Sequence, residues 1–179
     1  VLKGVFDLKK AVYEKWGVSI IPASLKLKDL MGVDVEKLKD VISELDADYV
    51  ILDSAPGLGR EAVSAMKASD ELLYVALPFV NSIADVMRCK RLADALEKKS
   101  LGIVLNMVKG ESYELKKEEV EELTGLKVIA EIPYDKNVEK SLAYGIPLLK
   151  FREDSKASCE IIKLAGWLEG IPYYPKKPN

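Results

Sequence analysis

The sequence predicts an α/β fold, a three-layer, doubly wound and mostly parallel sheet with helices on both faces. Short apolar runs of strand length alternate with helical patterns of ten residues or more. Four of these runs stop at a polar residue or a proline, namely at Asp53, Pro78, Asn106 and Pro133. Because open α/β sheets bind ligands outside the carboxyl ends of their strands, we expect these four residues to line a ligand edge.

The composition indicates one ordinary domain with a sizeable core. The chain has 179 residues, of which 49% are hydrophobic and 31% are charged. The net charge is -2 and no long basic run occurs, which argues against a nucleic-acid footprint. No apolar stretch approaches the roughly 18 to 20 residues that a membrane-spanning helix needs.

Cysteine and histidine usage excludes several kinds of site. Cys89 and Cys159 are the two cysteines, they form no C-x-x-C motif, and the chain contains no histidine. This excludes His-dependent triads and zincin-type sites and argues against a Cys/His zinc site. The helical spacing places Cys89 on an apolar face, as expected for a core thiol in a reducing cytoplasm.

Turn residues and apolar spacing predict the elements that precede residue 46. Asp7 is a suitable N-cap and Gly17 a suitable stop for a first helix, and Pro22 ends the strand that follows. Apolar residues at helical spacing between positions 35 and 45 predict a further helix. The predicted elements are a helix over Asp7–Lys15, a strand over Val18–Ile21, a helical turn over Ser24–Met31 and a helix over Asp34–Leu45.

A continuous apolar run, Tyr49–Leu52, predicts a strand buried on both faces, as in a parallel sheet. It stops at Asp53, and a loop rich in proline and glycine leads to a helix over Arg60–Lys67. An acid at the carboxyl end of such a strand commonly holds Mg²⁺ through water beside the terminal phosphate of a nucleotide. The alternative is that Asp53 only caps the following turn.

The remainder of the chain continues the alternation of strands and helices. Prolines stop two of the strands, and Gly125 and Gly145 are expected to end helices. One domain is therefore expected over residues 1–168, followed by a proline- and aromatic-rich tail over 169–179. The predicted strands are Leu72–Leu77, Leu101–Leu105 and Val128–Ile132, the predicted helices are Ser82–Lys98, Lys116–Leu123, Asn137–Tyr144 and Ser155–Leu168, and Ile146–Phe151 is expected to be extended.

The stretch Gly57–Ala62 spells G-L-G-R-E-A, which satisfies the G-x-G-x-x-[GA] pattern of dinucleotide sites. Such a site also needs an acid near the end of the following strand, where this chain has Ala76, Leu77 and Pro78. The insert Ser54–Pro56 also moves the first glycine away from the strand end. A nicotinamide or flavin site is therefore not favoured.

Four motifs stand at the predicted strand ends: Y-V-I-L-D-S-A-P-G-L-G around Asp53, L-L-Y-V-A-L-P before Phe79, V-L-N ending at Asn106, and E-I-P-Y-D ending at Asp135. As a set they resemble the MinD/ParA family of deviant Walker-A P-loop ATPases. The segments A-Y-G-I-P-L-L-K-F and D-S-K-A resemble MinD and its archaeal relatives more than plasmid ParA. The resemblance extends from the first residue to about Leu168.

The resemblance implies ATP or ADP and Mg²⁺ as ligands. By it, Asp53 contacts the water shell of Mg²⁺, and the Ser54–Gly57 segment, with Pro56, is the switch that senses the γ-phosphate. Gly57 would close its amide N–H on that phosphate, since only glycine lets the main chain approach so closely. Asp53 and Gly57 are thus the expected catalytic residues.

The same resemblance places the base of the nucleotide in the second half of the chain. Asn106 is expected to hydrogen-bond the adenine edge, because an amide offers both a donor and an acceptor. Pro133, Tyr134 and Asp135 are expected to flank the base from the other side. Asn106 as a turn cap and Pro133 as a simple strand terminator are the alternatives.

The family's phosphate loop, G-K-G-G-x-G-K-T, does not occur in this sequence. By the resemblance, it and the strands beside it would lie before Val1. Main-chain amides and lysines of that loop bind the phosphates, so we expect this chain alone not to hydrolyse ATP. The strand before the loop is central in the family's sheet, so we also expect this chain alone not to stay monomeric and well folded.

The function expected from the resemblance is an ATPase whose ATP-bound form dimerises face to face and whose hydrolysis releases a partner, in cell division or intracellular positioning. The expected partners are a second copy and a regulatory or cargo protein of unspecified identity. A cytoplasmic location is expected. Pro172, Pro175 and Pro178 are incompatible with the basic membrane-interface helix that ends bacterial MinD, so peripheral membrane association is in doubt.

Three other functions are compatible with the fold. A DNA-partition ATPase would need a basic patch, but here lysine and arginine are interspersed with acids. An iron–sulfur carrier of related fold would need a C-terminal C-x-x-C, which is absent. A non-catalytic protein-binding domain without a phosphate loop is the third alternative.

Overall fold

The computed structural model describes residues 7–23 and 35–171, and the chain divides into two compact units between Asp70 and Glu71. The predicted turn over Ser24–Met31 lies outside the described residues. In the first unit the elements are α1 (Leu8–Ala11), β1 (Tyr13–Lys15), β2 (Val18–Ile20), a 3-10 turn (Val35–Lys37), α2 (Leu38–Ser43) and α3 (Arg60–Ala68). The helices predicted over 34–45 and 60–67 are confirmed within these bounds.

A β-hairpin replaces the second half of the predicted helix Asp7–Lys15. The helix ends at Ala11, and β1 pairs with β2 in antiparallel register, with Tyr13 opposite Ile20. Trp16 and Gly17 both have positive φ, 56° and 79°, which suits a tight hairpin turn. The helix prediction was wrong beyond Ala11 because this turn lets aromatic and β-branched residues pair across two strands.

The segment Tyr49–Leu52, predicted as a buried strand, lies outside both described sheets. Tyr49, Val50 and Ile51 are 62%, 40% and 89% exposed. An apolar run becomes a strand only when neighbouring strands pair with its main chain and cover its faces. In the described part of the chain no strand pairs with this run, so the prediction of a strand here was wrong.

The second unit is built on a parallel sheet in which β3, β4 and β5 lie side by side in sequence order. The three strands predicted between residues 72 and 132 are confirmed, and β4 is longer than predicted. This is an α/β fold, as the sequence predicts. The elements are β3 (Glu71–Ala76), α4 (Val80–Ala95), β4 (Lys99–Val108), α5 (Lys117–Thr124), β5 (Val128–Pro133), α6 (Lys136–Tyr144), α7 (Leu148–Phe151) and α8 (Lys156–Leu168).

Helices α4, α5, α6 and α8 confirm the predicted helices of this unit. Gly125 and Gly145 end α5 and α6 in the left-handed conformation, with φ of 68° and 62°. The extended segment predicted over Ile146–Phe151 was wrong, because Pro147 starts the short helix α7 and the leucines that follow it favour a helix. Across residues 7–23 and 35–171, no helix is both long and apolar enough to cross a membrane.

The core of the second unit lies between the sheet and helices α4 and α5. Alternate residues of each strand face it, as the two-residue period of a strand requires. Val104, on the other face of β4, is also buried, and α8 packs against β5. Cys89 is half-buried against this core, and burial raises the pKa of its thiol. The core residues are Tyr74, Ala76, Ile83, Val86, Ile103, Leu105, Val120 and Val128.

The strand register brings three predicted strand ends to one edge of the sheet. Ala76 of β3 lies opposite Leu105 of β4, and Val108 of β4 lies opposite Pro133 of β5. The residues that follow these pairs, including Asn106, therefore share the carboxyl edge. The edge expected from the sequence is confirmed for the second unit.

Candidate nucleotide site

Asn106 lies where the ladder between β4 and β5 is interrupted. The register shifts between Leu105 and Val108, so that Asn106 and Met107 have no partner in β5. Met107 has a φ of +58°, a sparsely populated conformation for a residue with a side chain. The Asn106 Oδ1 accepts a hydrogen bond of 2.9 Å from the Met107 N–H. This leaves the Nδ2 group of Asn106 as the donor available for a ligand at the edge.

The turn after β5 carries the second group of predicted residues. The Tyr134 N–H donates to the Val108 carbonyl at 2.8 Å, which continues the ladder past Pro133. The Tyr134 hydroxyl donates to Glu139 Oε1 at 2.5 Å, and this hydrogen bond raises the pKa of the phenol. The Lys109 ammonium lies 5.1 Å from the centre of the Tyr134 ring. An aromatic ring with a cation over it therefore lies on the same sheet edge as Asn106.

Asp135 joins the starts of two helices. Its Oδ1 accepts hydrogen bonds from the main-chain and side-chain N–H groups of Asn137, both at 2.8 Å, which caps α6. Its Oδ2 accepts a bond of 3.3 Å from the Ala157 N–H in the first turn of α8. Burial opposes ionisation of Asp135, but these donors and the Ser155 hydroxyl outweigh it and lower the pKa of the carboxyl group. Asp135 thus fixes the turn that holds Tyr134.

The predicted switch and metal residues lie in an exposed loop of the first unit. Asp53, Ser54, Pro56 and Gly57 are all exposed, and Ser54 Oγ donates to the Ala55 carbonyl at 3.2 Å. Gly57 has a φ of +81°, a conformation that glycine adopts without strain. The predicted loop between Asp53 and the helix that begins at Arg60 is confirmed.

A magnesium site at Asp53 is compatible with its chemistry. In the described part of the chain no group of three or more acidic, cysteine or histidine side chains could hold a metal by itself. Mg²⁺ does not require such a group, since it usually keeps several waters and takes one or two carboxylates together with phosphate oxygens. A single exposed carboxylate such as Asp53 fits water-mediated contact.

The sequence analysis missed Glu114 and Lys109. Glu114 is 9% exposed, and its carboxylate binds the main-chain N–H groups that follow β4. In the sequence it lies just before a run of lysines and glutamates, which is typical of a solvated surface. Gly110 is the local signal of a turn here, but it does not indicate which acid the turn buries.

The sequence profile of the CobQ/CobB/MinD/ParA nucleotide-binding domain matches residues 9–148. The chain belongs to this family. An uncharacterized ATP-binding protein of Methanocaldococcus jannaschii is 36% identical to it, over 97% of this chain and 67% of that protein. The chain thus spans about two thirds of the length of this relative.

Solved structures of family members have the same fold. The septum site-determining protein MinD of Pyrococcus horikoshii, complexed with Mg-ADP, superposes with a TM-score of 0.87 at 27% identity, over 94% of this chain and 71% of that one. The cell division ATPase MinD of Pyrococcus furiosus gives a TM-score of 0.88 at 27% identity, over 94% and 73%. The prediction of a MinD/ParA-like α/β fold is confirmed.

Proposed function

We propose that this chain carries the base-binding part of an ATP site at the carboxyl edge of β4 and β5. The observation that carries this proposal is the pairing of Val108 with Pro133, which sets Asn106 and the Pro133–Asp135 turn on one sheet edge. Family membership and a Mg-ADP complex of a MinD relative support the choice of nucleotide.

The side chains at this edge suit a purine base. With its Oδ1 held by Met107, Asn106 directs its Nδ2 donors to the ligand, and N1 of adenine is an acceptor where guanine carries an N1–H. The Tyr134 ring offers a surface on which a base can stack. Asp135 holds the turn in place through its contacts with both helix starts. In this proposal Asn106 selects the base and Tyr134 supplies contact area.

A separate role in binding phosphate and metal is proposed for the Asp53 loop of the first unit. Asp53 would hold Mg²⁺ through water, and Ser54, Pro56 and Gly57 would form the segment that senses the γ-phosphate. When bound, Mg²⁺ neutralises charge that develops on the phosphate oxygens. The Gly57 N–H would donate to a γ-phosphate oxygen, which the left-handed conformation of this residue permits.

The proposed cellular role is that of an ATP-dependent dimerisation switch. ATP would hold two copies together and hydrolysis would separate them, which releases a regulatory or cargo protein. The names of the two Pyrococcus relatives, a septum site-determining protein and a cell division ATPase, support a role in cell division or intracellular positioning. The proposed location is the cytoplasm, at the inner face of the membrane when the protein is membrane-associated.

A nuclear magnetic resonance titration of the ¹⁵N-labelled chain tests the base site, because it detects millimolar binding. ATP should shift the main-chain amides of residues 106–109 and 134–135, and GTP should shift them less, since guanine presents O6 and N1–H where adenine has an amine and an acceptor nitrogen. Asn106→Ala should weaken the ATP response about 3- to 10-fold through the lost hydrogen bonds. Asn81→Ala, an exposed asparagine at the start of α4, is the matched control.

The metal side is tested in the same titration with and without Mg²⁺. Asp53→Asn should abolish the Mg²⁺-dependent part of the ATP response and leave the base-dependent part, whereas the exposed Asp48→Asn should change neither. If millimolar ATP leaves residues 106–109 and 134–135 unshifted in the unaltered chain, the proposed base site is wrong.

A further inference from the structure

Glu114 is a buried carboxylate that is satisfied entirely by main-chain donors. Among the residues whose side-chain burial the structure describes, it is the only charged side chain that is buried. Its Oε2 accepts hydrogen bonds from the N–H groups of Lys109, Gly110 and Glu111, at 3.0, 2.8 and 3.2 Å. Burying a carboxylate is unfavourable unless such charge-assisted bonds replace water. The buried Glu114 carboxylate is therefore stabilised by the main chain of residues 109–111, and it orders that segment in return.

The loop over residues 109–115 contacts the ends of both neighbouring strands. On the β3 side, the Leu115 N–H donates to the Pro78 carbonyl at 2.9 Å, and the Tyr113 ring stacks on Phe79 with the ring centres 6.4 Å apart. On the β5 side, the Lys109 ammonium lies over Tyr134. Glu114 lies inside this loop and fixes its first three residues, so the position of Lys109 depends on a side chain five positions away.

We infer that Glu114 is a positioning residue for the base side of the nucleotide site. Its carboxylate fixes the main chain of residues 109–111. The fixed main chain places the Lys109 side chain over the Tyr134 ring, and the ring is thereby pre-oriented for a base. Pre-orientation increases affinity because less ordering remains to be done on binding. The inference rests on the proposed function, since it assigns Glu114 a part in the same ATP site without contact to the ligand.

The test compares Glu114→Gln with Glu114→Asp in the ligand-free and the ATP-titrated chain. A cation held over an aromatic ring has its neighbouring methylene protons shifted upfield, so the Lys109 side-chain resonances report its position without any nucleotide. In Glu114→Gln an amide group faces three N–H donors, and this upfield shift should be lost. ATP affinity should then fall about 3- to 10-fold, and Glu114→Asp, which keeps the charge, should restore part of both signals.

Two controls separate positioning from loss of charge or of stability. Glu122→Gln removes an exposed charge on α5, and Val120→Ala weakens the core; both should keep the Lys109 shift. A Glu114→Gln chain that keeps this shift overturns the inference. A chain that loses the shift but binds ATP as before overturns its role at the nucleotide site. Failure of the proposed function itself is seen separately, as an unaltered chain that does not respond to ATP.

Discussion

Gly102 lies in β4 where the main chain of the adjacent segment leaves no space for a side chain. Its φ is +150°, a value that residues with a side chain rarely adopt. A Cβ atom added there would lie 2.7 Å from the Lys127 carbonyl oxygen and 2.9 Å from Ile129 Cγ2. Gly102→Ala should therefore force the β4–β5 pair apart at its amino-terminal end.

The expected loss of stability has two parts. Backbone strain at such a φ amounts to about 1–3 kcal/mol. Overpacking against a carbonyl oxygen and a branched side chain adds about 1–3 kcal/mol. Because one main-chain shift relieves part of both, we expect a total of about 2–5 kcal/mol, a large share of the roughly 5–15 kcal/mol by which domains are stable.

Urea unfolding followed by circular dichroism measures this effect. With a slope of about 1–3 kcal/mol per molar urea, the midpoint should fall by about 1 M or more. Gly110→Ala is the matched control, since Gly110 has a φ of +77° but no atom within 4 Å of the added Cβ. That change should cost only about 1–2 kcal/mol, from the left-handed conformation alone.

Hydrogen exchange localises the effect. The Ile103 N–H donates to the Lys127 carbonyl at 2.8 Å, the same oxygen that the new Cβ would approach. This amide should exchange faster in Gly102→Ala and remain protected in Gly110→Ala. Equal midpoints for the two variants, or unchanged protection of Ile103, would refute the steric argument.

Three further predictions concern the core and the turn after β5. Asp135→Asn should lower stability at neutral pH by about 1 kcal/mol, because the capped and bridged carboxylate is lost. The pKa of Asp135 is lowered by folding, so its contribution is present above the ordinary value of 3.8 and is lost as the pH falls through the lower folded value. The difference between the two proteins in urea midpoint should accordingly shrink below that pH. Ile83→Ala should cost about 2–4 kcal/mol in urea unfolding, since Ile83 is 1% exposed, whereas Val80→Ala on the same helix, at 65% exposure, should stay within about 0.5 kcal/mol. Tyr134→Phe should keep the ATP-induced amide shifts, because the ring remains under Lys109, and Tyr134→Ala should weaken them about 5-fold or more through lost stacking; equal losses in both variants would assign the effect to the hydroxyl.

The sequence predicted the second unit well because its signals are local. Each of its strands is an apolar run closed by a proline or a polar residue, and glycine ends two of its helices. Gly125 and Gly145 adopt the left-handed conformation for which glycine is suited. Such features act within a few residues and need no knowledge of the rest of the fold. That Asn106 and Pro133 share one edge followed from the parallel orientation of the strands alone.

The first unit shows where local signals are insufficient. The apolar run at 49–52 indicates a tendency to form a strand, but pairing depends on neighbours that the run itself does not specify. In the same way, Tyr13–Lys15 could extend a helix or form a strand, and the contacts with Val18–Ile20 decide it. For these elements the competing structures differ in tertiary contacts and not in intrinsic preference.

The residues of the candidate site show the same contrast between local signals and tertiary contacts. The edge position of Asn106 could be predicted because the end of a strand and a chemical group suffice, whereas the run before Asp53 is not a strand in the structure. The burial of Glu114 could not, since a glutamate near other charges is usually solvated and only the folded loop provides its three donors. The double contact of Asp135 also depends on α8, which starts more than twenty residues later.

The order of β3, β4 and β5 has a consequence for how the second unit assembles. Each strand pairs with the one made just before it, with Glu71 opposite Lys99 and Ile103 opposite Val128. The loops to be closed are therefore of similar length and similar entropic cost. As the chain leaves the ribosome, β3 and β4 can pair across α4 before β5 has been synthesised, and β5 then meets an edge that is already formed. Assembly can thus follow synthesis from the amino-terminal end, one helix and one strand at a time.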